Sequence, residues 1–242
     1  KAEAEQRLRK VIQLAPELAE AQAQFGSLLV SRGIDLEFQK WHRALLPVAD
    51  SHPGVWKARG DWARSHGDTM GAARCYFEGV RITPNDRLLS YRLGLSLQAL
   101  KRDADASVYL DRYSLLQQLA IVADGLHHNP QDQSGIHKSA ILTERLGRIW
   151  ETWAWCRAAL VHQPHSTWAA ATIGRLAPNL DDTCPDVLLR SHPVYLADLS
   201  DLPLPEWIST SSSLRYQKPT QSGAVDLMAE TRAATPIRFV DL

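Results

Sequence analysis

Gly26, Gly60 and Gly94 stand 34 residues apart, and no other feature of the sequence constrains the fold as much. Gly33 and Gly67 keep the same interval, as do Ala72 and Ala106, and Pro130 and Pro164. Pro16 and Pro84 are two intervals apart. The register slips once. Pro84 to Pro130 is one interval plus 12 residues, and the same 12 carry Gly67 to Gly147, Tyr76 to Cys156 and Gly94 to Gly174. A single insertion therefore restores every pairing. A period of this length marks an array in which each unit is too small to bury its own apolar face and must stack on its neighbours.

The segment from Pro53 to Asp86 shows what one unit is. Pro53 suits the first turn of a helix, where its missing N–H would have no partner in any case. Val55 to Ser65 reads as a first helix, Gly67-Asp68 as a turn, and Thr69 to Ile82 as a second helix. Thr83-Pro84-Asn85-Asp86 stops that helix and caps the next. Trp56 and Gly60 share a face of the first helix, and Ala72, Tyr76 and Gly79 or Val80 form the stripe of the second. A small residue lets the neighbouring backbone approach, and a large ring fills the wedge beside it.

Trp56, Gly60, Gly67, Ala72, Tyr76 and Pro84 make this unit similar to the tetratricopeptide repeat family. The other units keep parts of the pattern. Ala19–His52 has Phe25, Gly26 and Gly33, with Phe38 where a small residue is usual. The unit from Arg87 has Leu93, Gly94 and Ala106 but reads as lacking the closing proline, its second helix running on through the insertion towards His127. The unit from Gln133 has Gly147 and Pro164, with Ala140 and Thr152 in the small positions. The resemblance implies an all-α fold, a right-handed α-α superhelix. It covers residues 1–176, with a partial unit at 1–18, units at 19–52, 53–86, 87–132 and 133–166, and a capping helix at 167–176.

After Leu176 the period stops. Pro178, Pro185, Pro193, Pro203 and Pro205 exclude long helices. Leu188, Leu189, Val194, Tyr195, Leu196, Leu199 and Leu202 are apolar enough to dock, so 177–208 reads as an extended, irregular strap on the last helices. Ser209 to Ser213 reads as a linker. Ile237 to Leu242 is strand-like and resembles the opening strand of FG-GAP β-propellers of the ASPIC/UnbV kind. Leu146–Glu151 and Asp198–Asp201 are similar to the same class. This second resemblance implies that residues 209–242 lead into a β domain and that the chain is the front of a longer, extracytoplasmic protein. Without it the expected location is cytoplasmic. The opening at Lys1, inside a helix, carries the same expectation of sequence upstream.

Composition removes several functional classes. The 27 basic and 27 acidic side chains balance, which argues against a nucleic-acid footprint or a polybasic membrane segment. No run of 18 apolar residues occurs, so no transmembrane segment is expected. Cys75, Cys156 and Cys184 lack metal or haem spacing and read as thiols in helical packing or a loop, one disulfide being the alternative.

Candidate chemistry is sparse. Trp150 and Trp153 share a helix face while Trp155 points elsewhere, and repeat packing together with a docked strap accounts for them better than a ligand platform. His127, His128, His137, His162 and His165 offer no ligand set fixed by spacing and read as turn histidines. Asp181-Asp182 reads as a turn or cap. No GxSxG, P-loop or Rossmann pattern is present, and the expectation is a non-enzymatic chain with no cofactor and no metal.

The tetratricopeptide resemblance implies that first helices line a concave groove. In this sequence that groove draws on Ala23, Ser27 and Val30, then Lys57, Asp61 and Arg64, then Tyr91, Leu95 and Gln98, then His137, Ile141 and Glu144. It would take a peptide or protein partner. The family's clamp for terminal carboxylates is doubtful here, because Asp61 stands where an Asn is expected beside Lys57. The alternative is an accessory region that docks on its own C-terminal domain.

Overall fold

A computed structural model of the protein describes residues 2–180, 188 and 192–209. Asp181-Asp182, Cys184, the Ser/Thr run from 210 onward and the strand-like end at 237–242 lie outside the described residues. Among the described residues every regular element is helical. Ten helices come first: α1 (Ala2–Leu14), α2 (Ala19–Arg32), α3 (Asp35–Ala44), α4 (Pro53–Ser65), α5 (Thr69–Ile82), α6 (Arg87–Ala99), α7 (Asp103–His128), α8 (Gln133–Arg145), α9 (Ile149–His162) and α10 (Thr167–Leu176). Two short ones, α11 (Pro193–Leu196) and α12 (Glu206–Ser209), follow in the strap. Each helix from α4 to α10 packs on the next in sequence, and α2 packs on α1, α3 and α4.

The turns repeat with the helices. Gly33, Gly67, Lys101 and Gly147 each have φ between +60° and +79°. At all four, the next amide donates five residues back: Ile34 to Leu29, Asp68 to Ala63, Arg102 to Leu97 and Arg148 to Thr143, at 2.9–3.2 Å. This is the left-handed helix stop, which satisfies a terminal carbonyl and reverses the chain. Lys101 holds it without being glycine.

A second turn precedes each first helix. The amides of Leu18, His52, Asp86, Asp132 and Ser166 donate to Ala15, Ala49, Thr83, Asn129 and Gln163 at 3.0–3.2 Å. Proline occupies the second position in four of these turns, where its fixed φ is already correct. Pro130 is one of them. The unit from Arg87 therefore does close on a proline, which arrives late because α7 carries the 12 inserted residues as continuous helix. Side-chain caps follow: Asp86 accepts from the Leu89 amide at 2.9 Å, and His52 Nδ1 from the Gly54 amide at 3.1 Å.

The small positions sit where helices cross. A Cβ on Gly26, Gly60 or Gly94 would collide with Trp41, Tyr76 or Leu110, each from the second helix of the same pair. Ala140 and Cys156 meet in the same way inside one buried cluster. Phe38, at the position held elsewhere by Ala72, Ala106 and Thr152, is fully buried and stacks on Trp62 at 5.2 Å.

Of the strap's residues from 192 on, only the start lies on the last helices, at the α8–α9 turn. The strap runs back along the stack, against chain order. His192 packs on Gly147 at the α8–α9 turn, and Arg102 pairs with Asp201 at 2.6 Å. Arg74 donates to the Ser200 and Leu202 carbonyls at 3.0 Å each. Val194, Leu199 and Leu202 are buried with Tyr76, Phe77 and Tyr109. Trp207 ends the run edge-on to Phe38 and Trp62, and Ile208 covers Cys75 beside Trp56. Burial of those four aliphatic side chains contributes on the order of 1.5–3 kcal/mol each, which holds an otherwise irregular segment in place.

Candidate partner-binding face

The first helices bring the expected residues to one side, in two separate groups. Ser27, Lys57, Asp61 and Arg92 form a polar line across α2, α4 and α6. Lys57 Nζ lies 3.4 Å from Ser27 Oγ and 3.8 Å from Asp61. Asp61 also pairs with Arg92 and accepts a hydrogen bond from the Tyr76 hydroxyl at 2.7 Å. Burial and the adjacent Asp61 carboxylate raise the Tyr76 phenol far above its ordinary range, so it stays protonated as a donor. Asp61 is thus a structural acid that ties two first helices to a second helix. Its carboxylate cannot serve a guest without releasing three partners.

The accessible part lies next to that line. Arg64 is exposed and makes no ion pair among the described residues. Tyr91 and Leu95 are 37% and 40% exposed, large for apolar side chains, and Gln98 is exposed beside them. Tyr91 leans on Tyr113 of α7 with ring centroids 4.8 Å apart, which fixes its orientation. Ala23 is buried against Gly54 and offers nothing to a guest, while Ser27 and Val30 are half-buried.

His137, Ile141 and Glu144 belong to a second group. The reason is α7. Its 26 residues extend about 39 Å, nearly double the other helices. α6 packs on its first half, where Gly94 meets Leu110. α8 packs on its second half, where Leu126 meets Gly135 and where Leu115, Leu116 and Leu119 bury Leu142 and Leu146. The 12 extra residues displace α8 by about 18 Å along α7. Tyr91 and Leu95 therefore do not run on into Ile141. Within the second group His137 stacks on Trp168 at 4.1 Å, and Glu144 pairs with Arg175 of α10. Ile141 remains 47% exposed.

Arg112 marks the joint between the groups. It is 1% exposed and donates to the Pro84 carbonyl at 2.6 Å, the Leu146 carbonyl at 3.0 Å and Asn85 Oδ1 at 2.8 Å. Its partners are neutral, and burial lowers its pKa to about 10, with Arg148 adding to the shift. One guanidinium thus ties the turn before α6 to the end of α8.

Several important residues were not singled out from the sequence. Arg92 and Arg175 each follow their acid by 31 residues, one helical turn short of the repeat, and that spacing is the signal they leave. Phe38, His42, Trp62 and Trp207 form the densest aromatic cluster, but Trp207 comes from the strap and no periodicity points to it. Trp150 and Trp153 are half-buried, 6.2 Å apart and edge-on, and Arg157 lies over Trp153. Among the described residues the strap's aromatic contacts are at α3 and α4, through Trp207. Among the described residues no three His, Cys, Asp or Glu side chains converge as a metal would require. No described helix is long and apolar enough to cross a membrane. The chain matches no protein-family model and no curated protein.

Proposed function

We propose that this chain is a tetratricopeptide-like scaffold, a right-handed stack of helical hairpins, that binds a protein or peptide segment rather than catalysing a reaction. The observation that carries it is the uncovered strip formed by Tyr91 and Leu95 beside Arg64 and Gln98, exposed with the strap docked. An apolar anchor set next to an unpaired guanidinium suits an extended segment with one apolar side chain and a nearby acid or carbonyl. Lys57 and Asp61 contribute rigidity at the edge of the strip. His137, Ile141 and Glu144, set apart by α7, would serve a second contact or a longer partner.

The test is selection from a random peptide display library against the wild-type chain, followed by binding to the double variant Arg64→Glu, Leu95→Ser. A recovered motif that loses at least tenfold in affinity on the double variant, and nothing on Arg157→Glu, supports the assignment. Binding indifferent to Arg64 and Leu95 removes it.

A second role rests on the Ile237–Leu242 resemblance: an accessory region of an extracytoplasmic FG-GAP-type propeller protein. It predicts that the helical region docks on the domain that follows it. Scattering from the longer protein that fits two independently tumbling bodies would dispose of it.

A further inference from the structure

The strap is closed at each end by an imidazole. At the leading end His192 Nδ1 accepts from the Val194 amide at 3.3 Å, and Nε2 lies 3.1 Å from the Arg145 carbonyl. An acceptor nitrogen carries no proton, and a nitrogen facing a carbonyl must carry one. The geometry therefore requires the neutral ring, protonated on Nε2 alone. At the trailing end His42 is buried 4.7 Å from the Trp207 ring, edge-on, and hydrogen-bonds the Trp207 backbone. Behind it stand the Arg59 and Arg43 cations. Asp50, the nearby acid, is already bound to Arg59 at 2.6 Å.

We propose that residues 192–209 form an acid-released latch, in which protonation of His42 and His192 unseats the strap and uncovers the apolar surface under Val194, Leu199, Leu202 and Ile208. At His192 a second ring proton replaces the lone pair that the Val194 amide needs, and the cap is lost. At His42 a new cation would lie against two arginines.

The titration has the required sign. Burial, then Arg59, then Arg43 push His42 down to about 3, against the raising effect of the Trp207 backbone. Burial lowers His192 as well, with Arg112 adding to it and the Arg145 carbonyl opposing. A histidine depressed in the docked state favours docking fully above its ordinary value near 6.5, and this contribution fades as the pH falls below that. For His42 alone the opening constant rises by at most about 30-fold between pH 7.5 and pH 5, because Arg59 and Arg43 stay beside the ring after the strap leaves.

The remaining groups facing the strap act elsewhere. They are Asp201 on Arg102, Asp198 at the Ser200 amide, Glu206, and the Arg74–Glu78 pair beneath the Ser200 carbonyl. His66, stacked on Trp62, has its pKa raised by the Trp62 carbonyl and then by Asp35, both outside the strap, so that shift is not coupled to release.

Hydrogen exchange read by mass spectrometry on the full chain tests the latch, with rates corrected for the intrinsic effect of pH. Between pH 7.5 and 5 the opening constant of 192–209 should rise by about an order of magnitude while α4 to α6 keep their protection. In His42→Gln, His192→Asn, where Asn still caps Val194, that dependence should vanish. Strap protection equal at both pH values in the wild type overturns the proposal, and so does a double variant with the wild-type slope. Should the double variant open the strap at neutral pH, the imidazole resonances of the wild type decide. Titration of His42 and His192 in step with strap opening supports the latch, and titration near 6.5 under a protected strap refutes it.

Discussion

The four left-handed turns allow one quantitative test of how the repeat is held. Gly33 and Gly67 have φ of +63° and +79°, and an added Cβ would meet nothing within 4 Å at either. Gly33→Ala and Gly67→Ala should therefore register backbone strain alone. A left-handed L-residue costs about 1–2 kcal/mol. Stiffening of the unfolded chain returns about 0.4–1 kcal/mol of that. The expected net loss is about 0.5–1 kcal/mol for each.

Gly147 has nearly the same φ, +75°, but its Cβ would lie 2.7 Å from His192 Cδ2. Gly147→Ala should lose the same strain plus about 1–3 kcal/mol for the overlap. The ring can avoid the overlap by leaving its seat, so part of the loss should appear as exchange at 192–196. Lys101 is the inverse case, with φ +60° and an exposed side chain. Lys101→Gly should stabilise by about 0.5–1 kcal/mol, strain relief exceeding the added freedom of the unfolded chain. Urea unfolding with a common slope gives all four values. Equal losses at Gly147 and Gly33, or destabilisation by Lys101→Gly, would refute the claim that these turns are equivalent in backbone and differ only in what lies over them.

Two further substitutions probe the joints. Arg112→Met leaves the buried Leu146 carbonyl, the half-buried Pro84 carbonyl and the Asn85 amide oxygen without their donor, and should cost about 1–3 kcal/mol in urea unfolding, with protection lost first where α8 meets α7. Asp61→Asn keeps an acceptor for Tyr76 but drops the charge shared by Lys57 and Arg92. It should cost about 1 kcal/mol, shrinking as salt is raised; a loss insensitive to salt would mean that the acid acts through shape and not charge.

The helices were legible because their punctuation is. Proline before a first helix and glycine after it each solve a backbone problem that few residues solve, so they mark the chain at fixed intervals. Lys101 hid one of those marks, and the late Pro130 hid another. The face was less legible. Spacing places Lys57 and Asp61 on one side of α4, but it cannot tell that Asp61 is held by Arg92 and Tyr76. Exposure of Tyr91 and Leu95 depends on what the strap covers, and its path is set by Trp207 and Ile208 finding seats on helices more than 100 residues earlier. No local rule encodes such a match.

The insertion in α7 has the largest consequence for function. Twelve residues make three helical turns and a third, so the added helix turns the docking face by about 120° as well as moving it along the axis. Leu115, Leu116, Leu119 and Leu126 supply the apolar surface on which α8 docks. The units keep their local geometry while their alignment is lost. A partner long enough to touch both Leu95 and Ile141 must cross the step over Arg112, where the main-chain turn before α6 meets the end of α8. Under the proposed function a short segment would instead choose between two faces of different chemistry. One has an arginine with no ion pair among the described residues, beside a tyrosine and a leucine. The other has an isoleucine beside an acid already bound to Arg175. The first has the charge to spare, and for that reason it is the face expected to select a ligand.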